Sequence, residues 1–398
     1  MSLSKPVLNG QTGETGQSAS PAKAHPSKSA IDPKQGKRVL VAMSGGVDSS
    51  VAAVLLIQAG YEVTGVTLKL FDRSDEDEVA TRSCCSLESI DDARRVCHLL
   101  GIEHHVFNKV KAFGRTVIAP FAESYRQGLT PNPCVECNRS IKFAELLSQA
   151  RAYGFDFIAT GHYIRKREDP ATGLFHVHCG IDDQKDQSYA LYMLTQDQLA
   201  HVLFPLGNLT KLEVRRIAAA NGLRVHNKPD SQEICFVDGR YTEFLRQDSG
   251  VTATPGPMVD LDGKVIGQHT GIIDYTIGQR KGLGAFGQPM FVLAKDAAAN
   301  RLVIGPPESL FNDYLLADKA NWIVPVTPGS RVHAKIRYSA KPAPCRIDFD
   351  PDDPDSRLQV TFDVPQRAIT PGQLIVFYQD TEMLGGATIR TGPTDRPA

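Results

Sequence analysis

No stretch of this 398-residue chain is apolar for long enough to cross a bilayer. The longest such run near its start, VAAVLLIQAG (51–60), falls well short of the about 20 residues a spanning helix needs, so no membrane partner is expected. A charge excess is missing too. Lys and Arg number 44 against 45 Asp and Glu, a net charge of −1, so nothing global announces a polyanion binder. The first 36 residues lack an apolar h-region and carry almost no large apolar side chains, which argues against a secretory signal. They read as a disordered tail, with an organellar transit peptide as the minor alternative, and the expected location is cytoplasmic. Outside the secretory route, eight cysteines argue against a disulfide framework and for buried thiols, ligands or reactive groups. No internal repeat is evident.

What is present is ordinary globular composition, 41% hydrophobic and 22% charged, in a chain long enough for two or three cores. RVLVAM (38–43) reads as a strand, VAAVLLIQAG as a helix closed by Gly60, and YEVTGVTLKL (61–70) as a second strand. SIDDARRVCHLLGI (89–102) reads as a helix capped by Ser89 and ended by Gly101, and EHHVFNK (103–109) as a strand. IKFAELLSQARAYGF (141–155) is a further helix and FDFIATGHY (155–163) a strand feeding a Gly-His loop. This alternation predicts an α/β domain with a parallel sheet, and ligands beyond the carboxyl ends of its strands. After about residue 245, turns rich in Gly and Pro separate short β-prone segments. The expected division is a tail over 1–36, an α/β domain over 37–244, a small β-rich domain over 245–310 and a C-terminal β-barrel over 311–398.

The unit VAMSGGVDSSVAAVLL delivers a strand, two glycines and three serines to a helix N-terminus. Glycines let backbone wrap a phosphate, and the helix end supplies free N–H groups and a positive dipole. There is no G-K-[ST], so it is not a Walker A loop, and it is not the G-x-G-x-x-G of dinucleotide folds. A bare Ser-Gly-Gly would be read as a capping turn; the complete strand–SGGVDSS–helix unit favours a phosphate cradle.

TPNPCVECNRSIKF (130–143) sets Cys134 and Cys137 beside a Pro-Asn-Pro turn. The spacing alone leaves half a zinc site, a redox dithiol, part of an iron–sulfur cluster, or a nucleophile with a neighbour. Cys235 lies in the polar segment HNKPDSQEICFVDG, with Lys228 nearby to favour a thiolate. Cys84, Cys85, Cys97, Cys179 and Cys345 read as buried or incidental thiols, and alternation in a strand explains HVHC (176–179) without a metal.

The loop resembles the PP-loop of the ATP pyrophosphatase superfamily. MSGGVDSS, TPNPCVECNRSIKF, ATGHY, KDQSYAL, KPDSQEICFV, YTIGQRKGLG, KIRYS and PGQLIVFY follow in order, and together resemble the tRNA-specific 2-thiouridylase (MnmA/TrmU) family over roughly residues 38 to 390. The resemblance implies a PP-loop α/β domain, a β-rich middle domain and a C-terminal barrel. It also implies ATP-dependent 2-thiolation of the wobble uridine of glutamate, glutamine and lysine tRNAs, with ATP and Mg²⁺ required. Sulfur would come from a cysteine desulfurase or a sulfur-relay protein.

Carried over by position, Cys235 bears the persulfide. Cys137 attacks it and forms a transient disulfide with Cys235. Ala42, Met43, Ser44, Gly45, Gly46, Val47, Asp48, Ser49, Leu68 and Gly161 match nucleotide-binding positions, Asp48 organising Mg²⁺ or pyrophosphate. Asn132, Pro133 and Cys134 line the target base. His162, Lys185, Asp186, Gln187, Arg337, Tyr338 and Gln373 match tRNA-contacting positions. Many members of the family have an aspartate where this chain has Cys134, a carboxylate assigned to acid/base work. A thiol with an ordinary pKa of about 8.5 suits that role at a different pH. The substitution also raises a second reading, in which Cys134, Cys137 and Cys235 hold a [4Fe–4S] cluster; a resident metal ion is not expected.

Arg331, Lys335, Arg337, Lys341 and Arg346 form a run without an acid, expected to face RNA, and the acidic DFDPDDPD (348–355) follows it, expected to face away. Arg280 and Lys281 add charge on a Gly-rich loop. Competing readings are another adenylating PP-loop enzyme, or a redox or sulfur-carrier protein with a regulatory nucleotide loop.

Overall fold

The computed structural model describes residues 36–394 apart from 72–86, 231–233, 238, 248, 354–356 and 393. The expected tail and the Cys84–Cys85 pair lie outside the described residues.

Strand β1 (Arg38–Ala42) carries Val39, Leu40 and Val41, all fully buried. An uninterrupted apolar run of this kind belongs to a strand covered on both faces, as in a parallel sheet. Helix α1 (Val47–Gln58) follows, then β2 (Glu62–Lys69), α2 (Leu87–Leu100), β3 (His104–Asn108) and, further on, β4 (Phe157–Ala159). A hairpin of β5 (Ile164–Glu168) and β6 (Phe175–Cys179) leaves this sheet before β7 (Val202–Leu203) completes it in the order β3-β2-β1-β4-β7, every pair parallel. The order reverses at β1, so the crevice between the carboxyl ends of β1 and β4 is the topological switch point.

Gly60 and Gly101 end their helices as expected, in the left-handed region at φ 86° and 67°. Two expected elements shift. Helix α1 begins at Val47, so the second half of the phosphate loop is its first turn. Helix α2 begins at Leu87, which places Ser89 inside the first turn, buried, and not at the cap. The expected strand over 155–163 shrinks to Phe157–Ala159, and Gly161 and His162 lie in loop.

The middle domain is a four-stranded sheet of β8 (Gly256–Val259), β9 (Val265–His269), β10 (Phe291–Asp296) and β11 (Arg301–Gly305), ordered β10-β11-β8-β9. Val292, Leu293, Leu302 and Ile304 fill its separate core. The C-terminal barrel uses β12 (Phe311–Trp322), β13 (Arg331–Lys335), β14 (Ala343–Asp348), β15 (Leu358–Arg367), β16 (Leu374–Gln379) and β17 (Glu382–Ile389). Pairing of β12 with β17 closes the six strands into a barrel. The β5–β6 hairpin docks on this barrel: Val177 and His178 of β6 pair with Met383 and Glu382 of β17. A piece of the N-terminal segment therefore extends the C-terminal sheet, which locks the two together through backbone hydrogen bonds.

Candidate active site

At the end of β1 the chain turns through Ser44, Gly45 and Gly46 into α1. Gly45 holds φ 68°, and a Cβ there would lie 2.2 Å from the Ser89 carbonyl oxygen, so this position takes only glycine. Gly161 is pinned likewise: a Cβ would come within 2.8 Å of the Asp48 carbonyl carbon and the Ser49 nitrogen. The β4 loop thus lies directly on the first turn of α1. Ser49 Oγ accepts from the Ser44 backbone N–H at 3.1 Å, and Ser50 Oγ donates to the Gly46 carbonyl at 2.8 Å. Met43 is fixed by its N–H to the Val66 carbonyl, and Leu68 lies buried near the carboxyl end of β2. The structure therefore gathers Ala42–Ser49, Leu68 and Gly161 at one end of the sheet. The glycines, the helix terminus and the serine hydroxyls fit a phosphate chain.

Asp48 meets partners that the sequence reading missed. Lys211 Nζ donates to both of its carboxylate oxygens, at 2.7 and 2.8 Å, and the Tyr163 hydroxyl donates to one at 2.7 Å. The same Lys211 pairs with Asp230 at 2.7 Å, and Asp230 also meets Lys185 at 2.7 Å and Arg215 at 3.3 Å. Lys211 opens helix α3 (Lys211–Ala220), where Thr210 and Glu213 form a reciprocal capping box. That Thr-x-x-Glu pattern was readable, and it marks where Lys211 must stand.

The helix at the Cys pair begins eight residues earlier than expected, at Pro133, with the Asn132 side chain accepting from the Val135 N–H at 3.4 Å. It continues through widened turns over Asn138–Glu145 into Leu146–Ala152. Cys134 is exposed and Cys137 buried. Cys235 is half-buried and packs, with its neighbour Phe236, against the same apolar core that holds Cys137, Val135 and Phe121. Lys228 ion-pairs with Asp92 at 2.6 Å, so the cation expected to favour a Cys235 thiolate is engaged elsewhere. Cys97 and Cys345 are buried thiols whose pKa burial raises to about 11 and about 12, and Cys179 is raised by the same cause, so all three are poor nucleophiles. Among the described residues no group of three or more His, Cys, Asp or Glu side chains is gathered to hold a metal ion.

The loop ahead of this helix is held by both other domains. Thr130 N–H donates to the Pro371 carbonyl at 3.0 Å, and Gln373 Nε2 donates to the Thr130 carbonyl at 2.9 Å. Lys295 of β10 reaches the Leu129 carbonyl at 3.5 Å. Beneath lies a cleft of about 340 Å³ lined by Asn132, Pro133, Glu136, Arg139, Lys319 and Arg390 among others.

The expected RNA-contacting residues separate into two kinds. Lys185, Gln187 and the half-exposed Tyr338 cluster, with the Tyr338 hydroxyl donating to the Asp186 carbonyl at 3.0 Å and Gln187 accepting from Tyr163 N–H at 3.0 Å. The Asp186 carboxylate is buried and accepts from Gly180 N–H and from the Ser188 N–H and hydroxyl, so it shapes its own turn. The His162 ring lies between Phe143 and Phe204, and desolvation, with the Lys142 cation, lowers its pKa to about 3. It is therefore neutral at physiological pH and offers a hydrogen bond, not a charge. Three cations of the acid-free basic run face an acid in space. Arg331 pairs with Asp363 at 2.5 Å, Lys335 faces Asp186 at 3.9 Å, Arg346 faces Asp348 at 3.9 Å, and Arg337 donates to the Arg367 carbonyl.

Three family models match in succession: a tRNA methyl transferase HUP domain over residues 37–239, a tRNA methyl transferase PRC-barrel domain over 242–306 and an aminomethyltransferase beta-barrel domain over 312–389. The tRNA-specific 2-thiouridylase MnmA of Roseiflexus castenholzii is 48% identical over 370 residues, covering 88% of this chain and 99% of that protein. The tRNA-specific 2-thiouridylase MnmA of Heliobacterium modesticaldum is 51% identical over 356 residues, covering 88% and 92%. Among solved structures, a 4-thiouridine synthetase–RNA complex with bound ATP matches at 18% identity and TM-score 0.33, covering 50% of this chain and 45% of that one, too slight a likeness to build on. Identity near one half across nearly the whole length of both relatives decides the matter: the chain belongs to the tRNA-specific 2-thiouridylase family.

Proposed function

We propose that this protein thiolates C2 of the wobble uridine in glutamate, glutamine and lysine tRNAs, using ATP and a persulfide on Cys235. As a member of its family the chain is a tRNA sulfurtransferase. The observation that carries the finer reading is a pair of glycines that tolerate no Cβ at the sheet's switch point, in a chain where Phe236, beside Cys235, packs on Phe121 of the cleft that Val135 and Glu136, beside Cys137, also line.

The uridine O2 attacks the α-phosphorus of ATP and pyrophosphate leaves from the Ser44–Ser49 loop. Mg²⁺ would arrive with the triphosphate, supplying charge neutralisation. Cys137 thiolate, its proton taken through Cys134, attacks the Sγ of the Cys235 persulfide. A Cys137–Cys235 disulfide forms, and the terminal sulfur departs with the bonding electron pair and a proton as hydrosulfide. Hydrosulfide adds at C2 and AMP leaves with the old O2. The two thiols have supplied the two electrons, so an external dithiol must reduce the disulfide before the next turnover.

Thiolation of unmodified tRNA by Cys134→Ser, Cys137→Ser and Cys235→Ser variants tests this. The Cys137 and Cys235 changes should remove product by at least about 1,000-fold, and Cys134→Ser should slow it by about 10-fold, as expected for a nucleophile and for an acid/base helper. Equal loss in all three, together with loss of bound iron from anaerobically purified protein, would overturn persulfide transfer.

A further inference from the structure

Asp230 stands five positions before Cys235 and outside every expected site. Its carboxylate meets Lys185, Lys211 and Arg215, while Lys211 also grips Asp48 in the phosphate loop. These side chains are only 12–32% exposed, so the pairs are partly shielded from water. Arg215 further ties the approach to Asp230, donating to the His226 carbonyl at 2.5 Å and the Lys228 carbonyl at 3.0 Å. On the other side of Cys235, Phe236 is buried against Phe113, Phe121 and Phe244, with ring centroids 5.5, 5.5 and 5.2 Å away.

We propose that Asp230 is a positioning residue that registers the Cys235 segment against the nucleotide loop through the Asp48–Lys211–Asp230 bridge, so that sulfur reaches the activated base. This rests on the persulfide reading above. Five residues of chain span at most about 18 Å, so a fixed Asp230 limits how far Cys235 can stray from the ion-pair bridge. Confinement raises the effective concentration of the sulfur donor. Asp230 itself meets cations and not the loop, so adenylation has no direct need of it.

The test is a single turnover with persulfide-loaded enzyme, labelled ATP and unmodified tRNA, following pyrophosphate release and 2-thiouridine separately. Asp230→Asn should leave pyrophosphate release within about 3-fold while thiolation falls about 30-fold or more, so that adenylated tRNA accumulates. Asp230→Glu should recover much of the loss. Arg215→Met, which loosens the same segment without touching Lys211, should give the same split more weakly. A parallel fall in both steps with a raised KM for ATP would assign Asp230 to the nucleotide site and overturn the proposal. No change in either step would overturn it too. Failure of the wild-type protein to release pyrophosphate in the presence of tRNA would instead sink the adenylation reading.

Discussion

The phosphate loop and the loop leading to Cys134 are built by different means. Residues 42–50 are contiguous, and their neighbours belong to the same α/β domain: Val66 on β2, Ser89 on α2 and Gly161 after β4. The 128–132 loop is positioned from outside, by Lys295 of the middle domain and by Pro371–Gln373 of the barrel. The phosphate loop is held within one α/β domain, whereas the 128–132 loop takes the whole chain to hold in place. That is a physical reason for the two β domains to remain attached to a PP-loop domain.

The most severe way to probe the nucleotide side is Gly45→Ala. The left-handed conformation costs about 1–2 kcal/mol with a Cβ present, and the new methyl meets immovable backbone at Ser89. The melting temperature should fall by about 5 °C or more, with ATP binding lost. Gly46→Ala is the control: its nearest contact is Ser44 Oγ at 3.4 Å, and melting should not move. Equal loss in the two variants would mean that the loop does not press on α2.

The base side should respond differently. Gly372 holds φ 88°, and a Cβ there would lie 2.8 Å from Thr130 N and 2.9 Å from Leu129 Cβ. Gly372→Ala should lower thiolation about 10- to 100-fold through misplacement of the base loop, with ATP affinity unchanged by calorimetry. Gln373→Ala removes one hydrogen bond of about 1 kcal/mol and should cost about 5-fold. An equal loss of ATP affinity in either variant would erase the distinction between the two loops.

The same distinction explains what was legible in the sequence. SGGVDSS could be read because a phosphate cradle is made of neighbours in the chain, and Gly60 and Gly101 because a helix end is local. Asp230 and Lys211 were invisible because their meaning lies in ion pairs across 163 and 19 positions of chain, between Lys211 and Asp48 and between Asp230 and Lys211. The pairing of Arg331 with Asp363 and of Lys335 with Asp186 was hidden for the same reason, since those acids are distant in sequence. Asn132 capping a helix that starts at Pro133 was readable in principle, since Asn-Pro is a helix-start signal, but the flanking prolines suggested only a turn.

The gentlest probe of the base side is pH. Burial lowers the pKa of Lys295 to about 8, and its ammonium lies 5.6 Å from the centroid of the Tyr125 ring. In the unfolded chain the same group titrates near 10.4. Between these values the unfolded state binds more protons, so this group's contribution to stability rises with pH. Its desolvation penalty is full below about pH 8 and fades as pH approaches 10.4. Tyr125, raised by burial, works in the opposite direction above pH 10, so the effect must be isolated against Lys295→Met. The variant lacks the penalty, and its melting temperature relative to wild type should be highest near pH 7. That advantage should shrink steadily between pH 8 and 9.5, where Tyr125 is silent in both proteins. Parallel melting curves across that interval would mean that Lys295 keeps an ordinary pKa, and that the middle domain's grip on Leu129 is looser than its burial implies.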